Sequence, residues 1–248
     1  MITALTAPDR PAGDPRRPVR RVGGRSAGWP VPAALVALSA IPLTAGALRL
    51  VQLAGGPAMI PADVRFTGHA APLVVHIVGV AVYALGGALQ VVPRLRRRHP
   101  VWHRRAGRVV AFAGLLVAGS ALWMTLAYAQ KPGTGDLLYA LRLVLGSAMA
   151  AALVLGVAAA RRRDIAAHRA WMLRAYAIGL AAGTQAFTEG IGGALLGTGQ
   201  LAGDLAKAAG WVINLAVVEW IIRRPATSGR APRRRATPPR TRPAGTAA

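Results

Sequence analysis

Two basic, histidine-containing segments recur along this chain. Residues 96–108 read RRRHPVWHRRAGR, and residues 161–174 read RRRDIAAHRAWMLR. In each, three arginines and four further residues precede a His-Arg pair, so that His103 and His168 hold matching places before long apolar runs. Histidines from two helices at one depth are the usual axial ligands of a haem b in a helical bundle. The spacing therefore makes His103 and His168 candidate ligands of a haem iron.

The residues beside these histidines suit a haem site. Arginines can bind haem propionates through charge-assisted hydrogen bonds. The candidates for that role are Arg104, Arg108, Arg169 and Arg174. One interpretation is thus a redox protein that carries haem b and passes electrons between a quinol pool and a partner. The alternative is that His-Arg pairs at a membrane surface contact lipid phosphates and cap helices.

A second group of polar residues lies inside apolar blocks. An ionisable side chain within a membrane is costly, which makes it a functional candidate. The group consists of His76, Gln90, Glu189 and Asn214. These residues could line a pocket for a small or lipidic ligand, and this hypothesis requires a cavity between the second, fifth and sixth blocks. Hydrogen bonding between helices is the structural alternative, and Glu219, one turn from Arg223, is expected to form an ion pair.

The composition is that of a membrane protein. Of the 248 residues, 54% are hydrophobic and only 16% are charged, whereas soluble domains carry about a quarter charged residues. Six apolar blocks approach the length of about 20 residues that a helix needs to cross a membrane. They cover 28–52, 70–93, 106–129, 137–160, 170–197 and 208–222. Because lipid cannot satisfy backbone polar groups, the blocks predict helices, and the fold class is an all-α polytopic bundle with six transmembrane helices.

The distribution of arginine predicts the orientation of these spans. Six arginines lie in 1–27, seven in 94–108, five in 161–174 and eight after the sixth block, while the connections between blocks 1 and 2, 3 and 4, and 5 and 6 are nearly bare. The positive-inside rule then places both termini in the cytoplasm. Orientation, together with contact with anionic lipid headgroups at the cytoplasmic face, explains the net charge of +23 better than nucleic-acid binding does. The Pro- and Arg-rich tails at 1–27 and 225–248 are predicted to be disordered, on either side of a transmembrane domain at 28–224.

Several classes of chemistry are excluded. The chain has no cysteine, so disulfides, thiolate catalysis and iron–sulfur clusters are ruled out. The P-loop and the H-E-x-x-H zinc motif are both missing. A haem protein, a binding or transport protein, and a purely structural subunit remain as competing interpretations.

Five features resemble an uncharacterised family of bacterial membrane proteins, the domain of unknown function numbered 2306. They are His76, Gln90, HRRAGR from His103, HRAWMLRAYA from His168 and NLAVVEW from Asn214. The resemblance covers roughly 30–224, and the positions it matches are His76, Gln90, His103, Arg104, Gly107, Arg108, His168, Arg169, Trp171, Met172, Arg174, Tyr176, Asn214 and Glu219.

The chain departs from this family pattern in two places. An aromatic residue often follows the GR of the first phrase, where this chain has Val109 and Val110. An arginine is often found in the fifth block, where this chain has Gln185 and Phe187, and this departure weakens the case for an anion site in that block. The resemblance implies a polytopic helical fold in a bacterial plasma (inner) membrane, and it brings no known activity.

Overall fold

A computed structural model describes residues 29–66 and 68–224 of the chain, and within them every regular element is helical. The tails predicted at 1–27 and 225–248 lie outside the described residues. The helices are α1 (Pro30–Leu53), α2 (Ala71–Gln90), α3 (Pro93–Arg98), α4 (Pro100–Ala127), α5 (Asp136–Arg161), α6 (Ile165–Gly179), α7 (Ala181–Leu196) and α8 (Gln200–Arg223), with a 3-10 turn at Val64–Phe66. The prediction of an all-α membrane fold is confirmed.

Five of these helices are long and apolar enough to cross a membrane, namely α1, α2, α4, α5 and α8. The fifth predicted block is instead divided at Leu180, where α6 ends and α7 begins. Three helices also begin well before their apolar blocks, α4 at Pro100, α6 at Ile165 and α8 at Gln200. Hydropathy finds only the apolar part of a helix, whereas polar first turns continue the same backbone hydrogen bonding.

Two helical hairpins place the arginine triplets at one end of the bundle. The short α3 links α2 to α4, and a three-residue turn links α5 to α6. In that turn Arg163 has φ of 63°, and the Asp164 carboxylate caps α6 by accepting from the Ala167 amide at 2.9 Å. We call this the basic end. The opposite end carries the connections at 54–70, 128–135 and 197–199.

The centre of the bundle is a pair of tyrosines resting on glycines. The Tyr83 and Tyr176 rings meet edge to face with centroids 5.6 Å apart, and the Tyr176 hydroxyl donates to the Ala84 carbonyl at 2.7 Å. A Cβ at Gly87 would overlap the Tyr176 ring, and one at Gly114 or Gly179 would overlap the Tyr83 ring. Missing side chains at these glycines therefore let α2, α4 and α6 pack around the two rings.

The interruption at Leu180 is stabilised by α8. Because α6 ends there, its last carbonyls need partners from elsewhere. The Asn214 amide nitrogen donates to the Ala177 carbonyl at 3.1 Å, and the Asn214 oxygen accepts from the Thr184 hydroxyl at 2.8 Å. One side chain thus contacts both α6 and α7. Broken helices are tolerated at membrane depth when neighbours satisfy the freed groups in this way.

A buried carboxylate joins α8 to the start of α5. Asp204 is 2% exposed, and its oxygens accept from the Gly135 amide at 3.0 Å and the Leu138 amide at 3.2 Å. The negative charge lies at the positive end of the α5 dipole, which favours it. Asp204 therefore acts as a cap supplied by another helix, and it fixes the two helices at the opposite end.

We predict that Gly87→Ala destabilises the protein, by about 1–3 kcal/mol, because the added methyl overpacks against a ring that its hydroxyl bond holds in place. Gly119→Ala is the matched control, since a Cβ there meets nothing within 4 Å. Thermal unfolding of the purified variants should show a lower midpoint for Gly87→Ala and an equal or higher one for Gly119→Ala. Equal midpoints for both variants would contradict the tyrosine–glycine packing.

Candidate functional site

A cavity of about 460 Å³ opens between the helices toward the opposite end. Its wall comes from α2, α4, α5, α8 and the region where α6 gives way to α7. Apolar side chains form much of this wall, including Leu73, Val80, Leu145, Met149, Ile178 and Trp211. Eight polar or charged residues interrupt it: Arg65, His76, Thr125, Tyr128, Arg142, Gln185, Glu189 and Lys207.

Two of the cavity's cations are held in ion pairs. Arg65 contacts the carboxylate of Asp63 at 2.5 Å, and this guanidinium lowers the pKa of Asp63 below its usual range. The Lys207 ammonium lies 2.9 Å from the Glu189 carboxylate, and the Gln185 amide donates to the Lys207 carbonyl at 2.9 Å. The second pair connects α7 to α8, whereas the first is local to the connection that follows α1.

Arg142 differs from these two cations in its contacts. It lies two turns into α5, is half-buried and lines the cavity. Its guanidinium carries five N–H donors, yet within 29–66 and 68–224 it makes no hydrogen bond or ion pair. Its charge is within electrostatic reach of Asp204 and Glu189 but is in contact with neither. The cavity thus presents a cationic hydrogen-bond donor without an acceptor.

His76 presents one free ring nitrogen. Its Nδ1 lies 3.2 Å from the Val117 carbonyl and 3.0 Å from the Ser120 hydroxyl. A carbonyl can only accept, so Nδ1 carries the proton and Nε2 is left as an acceptor. No described residue donates to Nε2. A histidine held in one tautomer can accept a hydrogen bond from a ligand.

The four residues proposed to line one ligand pocket do not come together. His76 and Glu189 both line the cavity. Gln90 lies at the basic end near Gly107, 14 residues further along α2 than His76 and so roughly 21 Å away along the axis. Asn214 is occupied at the α6–α7 interruption. Apolar blocks show which residues enter the membrane region, but not which of them share a depth.

The proposed haem ligands lie at the basic end and close enough for their charges to interact. His168 donates from Nδ1 to the Gly156 carbonyl at 2.8 Å, which leaves its Nε2 free. The Nδ1 atom of His103 is buried without a hydrogen-bond partner, as are both amide atoms of Gln90. Among the described residues, the structure therefore concentrates buried polar atoms without hydrogen-bond partners in this region.

The four arginines proposed for haem propionates divide into two kinds. Arg174 binds the Glu219 carboxylate through two nitrogens, at 2.5 and 3.2 Å, and its guanidinium lies over the Trp171 ring. Glu219 also contacts Arg223, as expected, but at the longer distance of 3.5 Å. The other three, Arg104, Arg108 and Arg169, have exposed side chains and no carboxylate partner in the described part of the chain.

Sequence reasoning missed several cavity residues. Arg142, Lys207 and Trp211 are not among the candidate site residues that the sequence indicated. Lys207 and Trp211 lie within α8, because that helix begins at Gln200. A single lysine or arginine inside a helix that an apolar block forms is the signal that could have identified them.

Comparison with known proteins identifies the family of the chain but no characterised relative. No curated protein and no solved structure matches the chain. A family model described as "Predicted membrane protein (DUF2306)" matches residues 73–222, more than half of the 248 residues. The match includes every residue named above as lining the cavity except Arg65. The chain therefore belongs to the DUF2306 family of predicted membrane proteins, as the histidine- and arginine-containing phrases indicated.

Proposed function

We propose that the chain crosses a bacterial plasma membrane six times, with α6 and α7 acting as one discontinuous span and both termini in the cytoplasm. The arginine distribution supports this topology, because the connections at 91–99 and 162–164 are basic whereas those at the opposite end carry few cations. The exposed arginines of the basic end would contact anionic lipid headgroups. The opposite end, with the cavity, then faces the outside of the cell.

In this membrane the protein acts as a binding or transport protein for a small ligand. The cavity is the observation that carries the proposal. Its volume of about 460 Å³ falls within the range of about 300–1,000 Å³ found for ligand pockets. Its lining is also typical of such pockets, in that apolar side chains predominate and a few polar groups converge. Tightly packed interiors contain few voids larger than a water molecule, so a space of this size calls for an occupant.

The interrupted helix supports the same function. Gly179, Ala181 and Ala182, which flank the interruption at Leu180, all line the cavity. Discontinuous helices at the binding site are a recurring feature of membrane transporters, where they expose backbone groups to substrate and allow movement of the two halves. Asn214 holds the interruption in the present conformation.

We predict that small amphiphiles bind the purified protein saturably and that Ala121→Trp, which fills the cavity from α4, abolishes this binding. The probes are octan-1-ol and octanoate, and the readout is the rise in thermal unfolding midpoint with probe concentration. Leu126→Trp is the matched control, because Leu126 is 65% exposed on the same helix and does not line the cavity.

If the cavity binds a ligand, at least one probe should raise the unfolding midpoint of the wild type and of Leu126→Trp but not that of Ala121→Trp. If neither probe distinguishes Ala121→Trp from the other two proteins, the cavity is not a ligand site, and a structural role for the subunit is favoured.

A haem b protein is the second candidate, and the arrangement of His168 favours it. An Nδ1–H bond to a backbone carbonyl is how many metal-binding histidines are held, since it fixes the ring and leaves Nε2 for the metal. His168 has this bond, and His103 lies near it with an unsatisfied Nδ1. With Arg174 engaged by Glu219, Arg104, Arg108 and Arg169 would bind the propionates.

Protein purified from haem-replete cells should then show a Soret band, because two histidine ligands give a stable low-spin haem. His103→Ala and His168→Ala should each abolish the band, whereas His69→Ala, in the connection at the opposite end, should leave it unchanged. A wild-type protein without visible absorbance would exclude the haem hypothesis.

A further inference from the structure

We propose that the cavity selects a ligand with one anionic group on an apolar body, and that Arg142 binds the negative charge. The inference rests on the proposed ligand-binding role of the cavity and assigns the class of ligand. Carboxylate and phosphate share the chemistry in question, which is a planar or tetrahedral anion able to accept two hydrogen bonds from a guanidinium.

Most of the charged side chains around the cavity are in contact with a partner. Each of the other cations already has a carboxylate in contact, Arg65 with Asp63 and Lys207 with Glu189. The carboxylate of Asp204 is directed at the amide groups that begin α5, and its oxygens accept from Gly135 and Leu138. Each neighbouring carboxylate therefore has another partner, and none of the described residues accepts a hydrogen bond from the Arg142 guanidinium, whose five donors can serve a ligand.

The partial burial of the Arg142 guanidinium favours an anionic ligand over a neutral one. An unpaired guanidinium that is half-buried has lost part of its hydration without a compensating bond. A neutral ligand would leave that cost in place, whereas an anion removes it and gains charge-assisted hydrogen bonds. Among the cations that line the cavity in the described part of the chain, only Arg142 has no carboxylate in contact, because Arg65 and Lys207 are each held in an ion pair. The site therefore discriminates by charge more strongly than by shape.

The apolar part of the ligand would lie deeper in the bundle. One and two turns beyond Arg142 on α5, Leu145 and Met149 line the cavity, and Ile178 faces the same space. Met149 and Ile178 also belong to the core cluster around the two tyrosines. An amphiphilic acid would thus place its charge near the opposite end and its hydrocarbon toward the centre.

The test compares octanoate with octan-1-ol, which differ in charge but have similar apolar bodies. Their affinities for the purified protein are measured by titration of the unfolding midpoint. Octanoate should bind the wild type at least about tenfold more tightly than octan-1-ol, the ratio expected when charge-assisted hydrogen bonds are present in only one complex. Arg142→Gln should remove this preference.

A second variant guards against loss of affinity through poor folding. Glu189→Gln removes the negative charge of the cavity and releases Lys207, so octanoate affinity should increase while octan-1-ol affinity does not change. Lys131→Gln is the surface control, because this exposed cation of the same end does not line the cavity. It should leave both affinities at wild-type values.

Two probes identify the source of the anion. A water-soluble acid is indicated if octanoate binds more tightly than octan-1-ol in neutral phosphatidylcholine nanodiscs. A lipid is indicated if phosphatidylglycerol nanodiscs, with no other probe, raise the unfolding midpoint of the wild type but not that of Arg142→Gln. Equal binding of octanoate and octan-1-ol by the wild type, with both lost in Ala121→Trp, overturns the anion inference but retains the ligand cavity. Failure of every probe to distinguish Ala121→Trp overturns both.

Discussion

The packing of two tyrosine rings against glycines is the interaction on which the rest of the structure depends. Helices in lipid gain little from the hydrophobic effect, so their association relies on close packing and interhelical hydrogen bonds. Tyr83 and Tyr176 supply both, since each ring fills space left by glycine and the Tyr176 hydroxyl bonds to α2. Gly179 belongs to this packing and to the cavity wall at once. The rigid centre therefore forms the floor of the cavity.

The two halves of the bundle differ in how they use polar groups. Toward the opposite end, Asp204 and Asn214 are satisfied by backbone groups and hold α8 against α5 and against the interrupted α6–α7 pair. The cavity lies between these helices, and there the Arg142 guanidinium has no hydrogen-bond or ion-pair partner among the described residues. At the basic end, polar atoms of Gln90 and His103 are buried without partners beside His168.

Hydropathy was sufficient to predict the helical class, because lipid imposes strong constraints on composition, and the histidine- and arginine-containing phrases indicated the family. They could not predict which polar residues meet. Gln90 and His76 share a helix but are separated by most of its length, and Asn214 binds the interruption instead of lining a pocket. Arg174 prefers Glu219, 45 residues away, to any site beside its histidine. Such pairings depend on helix rotation and register, which a single sequence does not encode in a readable pattern.

The central claim is that the cavity is open to the outside of the cell and binds an anionic amphiphile. The chain has no cysteine, so a single thiol introduced by Gln185→Cys, in the cavity wall, can be labelled specifically in intact cells with a membrane-impermeant, negatively charged reagent. Phe187→Cys is the control, since Phe187 is 54% exposed on the same helix and does not line the cavity. The account predicts that Gln185→Cys is labelled and that octanoate slows this labelling without affecting any labelling of Phe187→Cys. Absence of labelling at Gln185→Cys, or labelling that octanoate leaves unchanged, would contradict it.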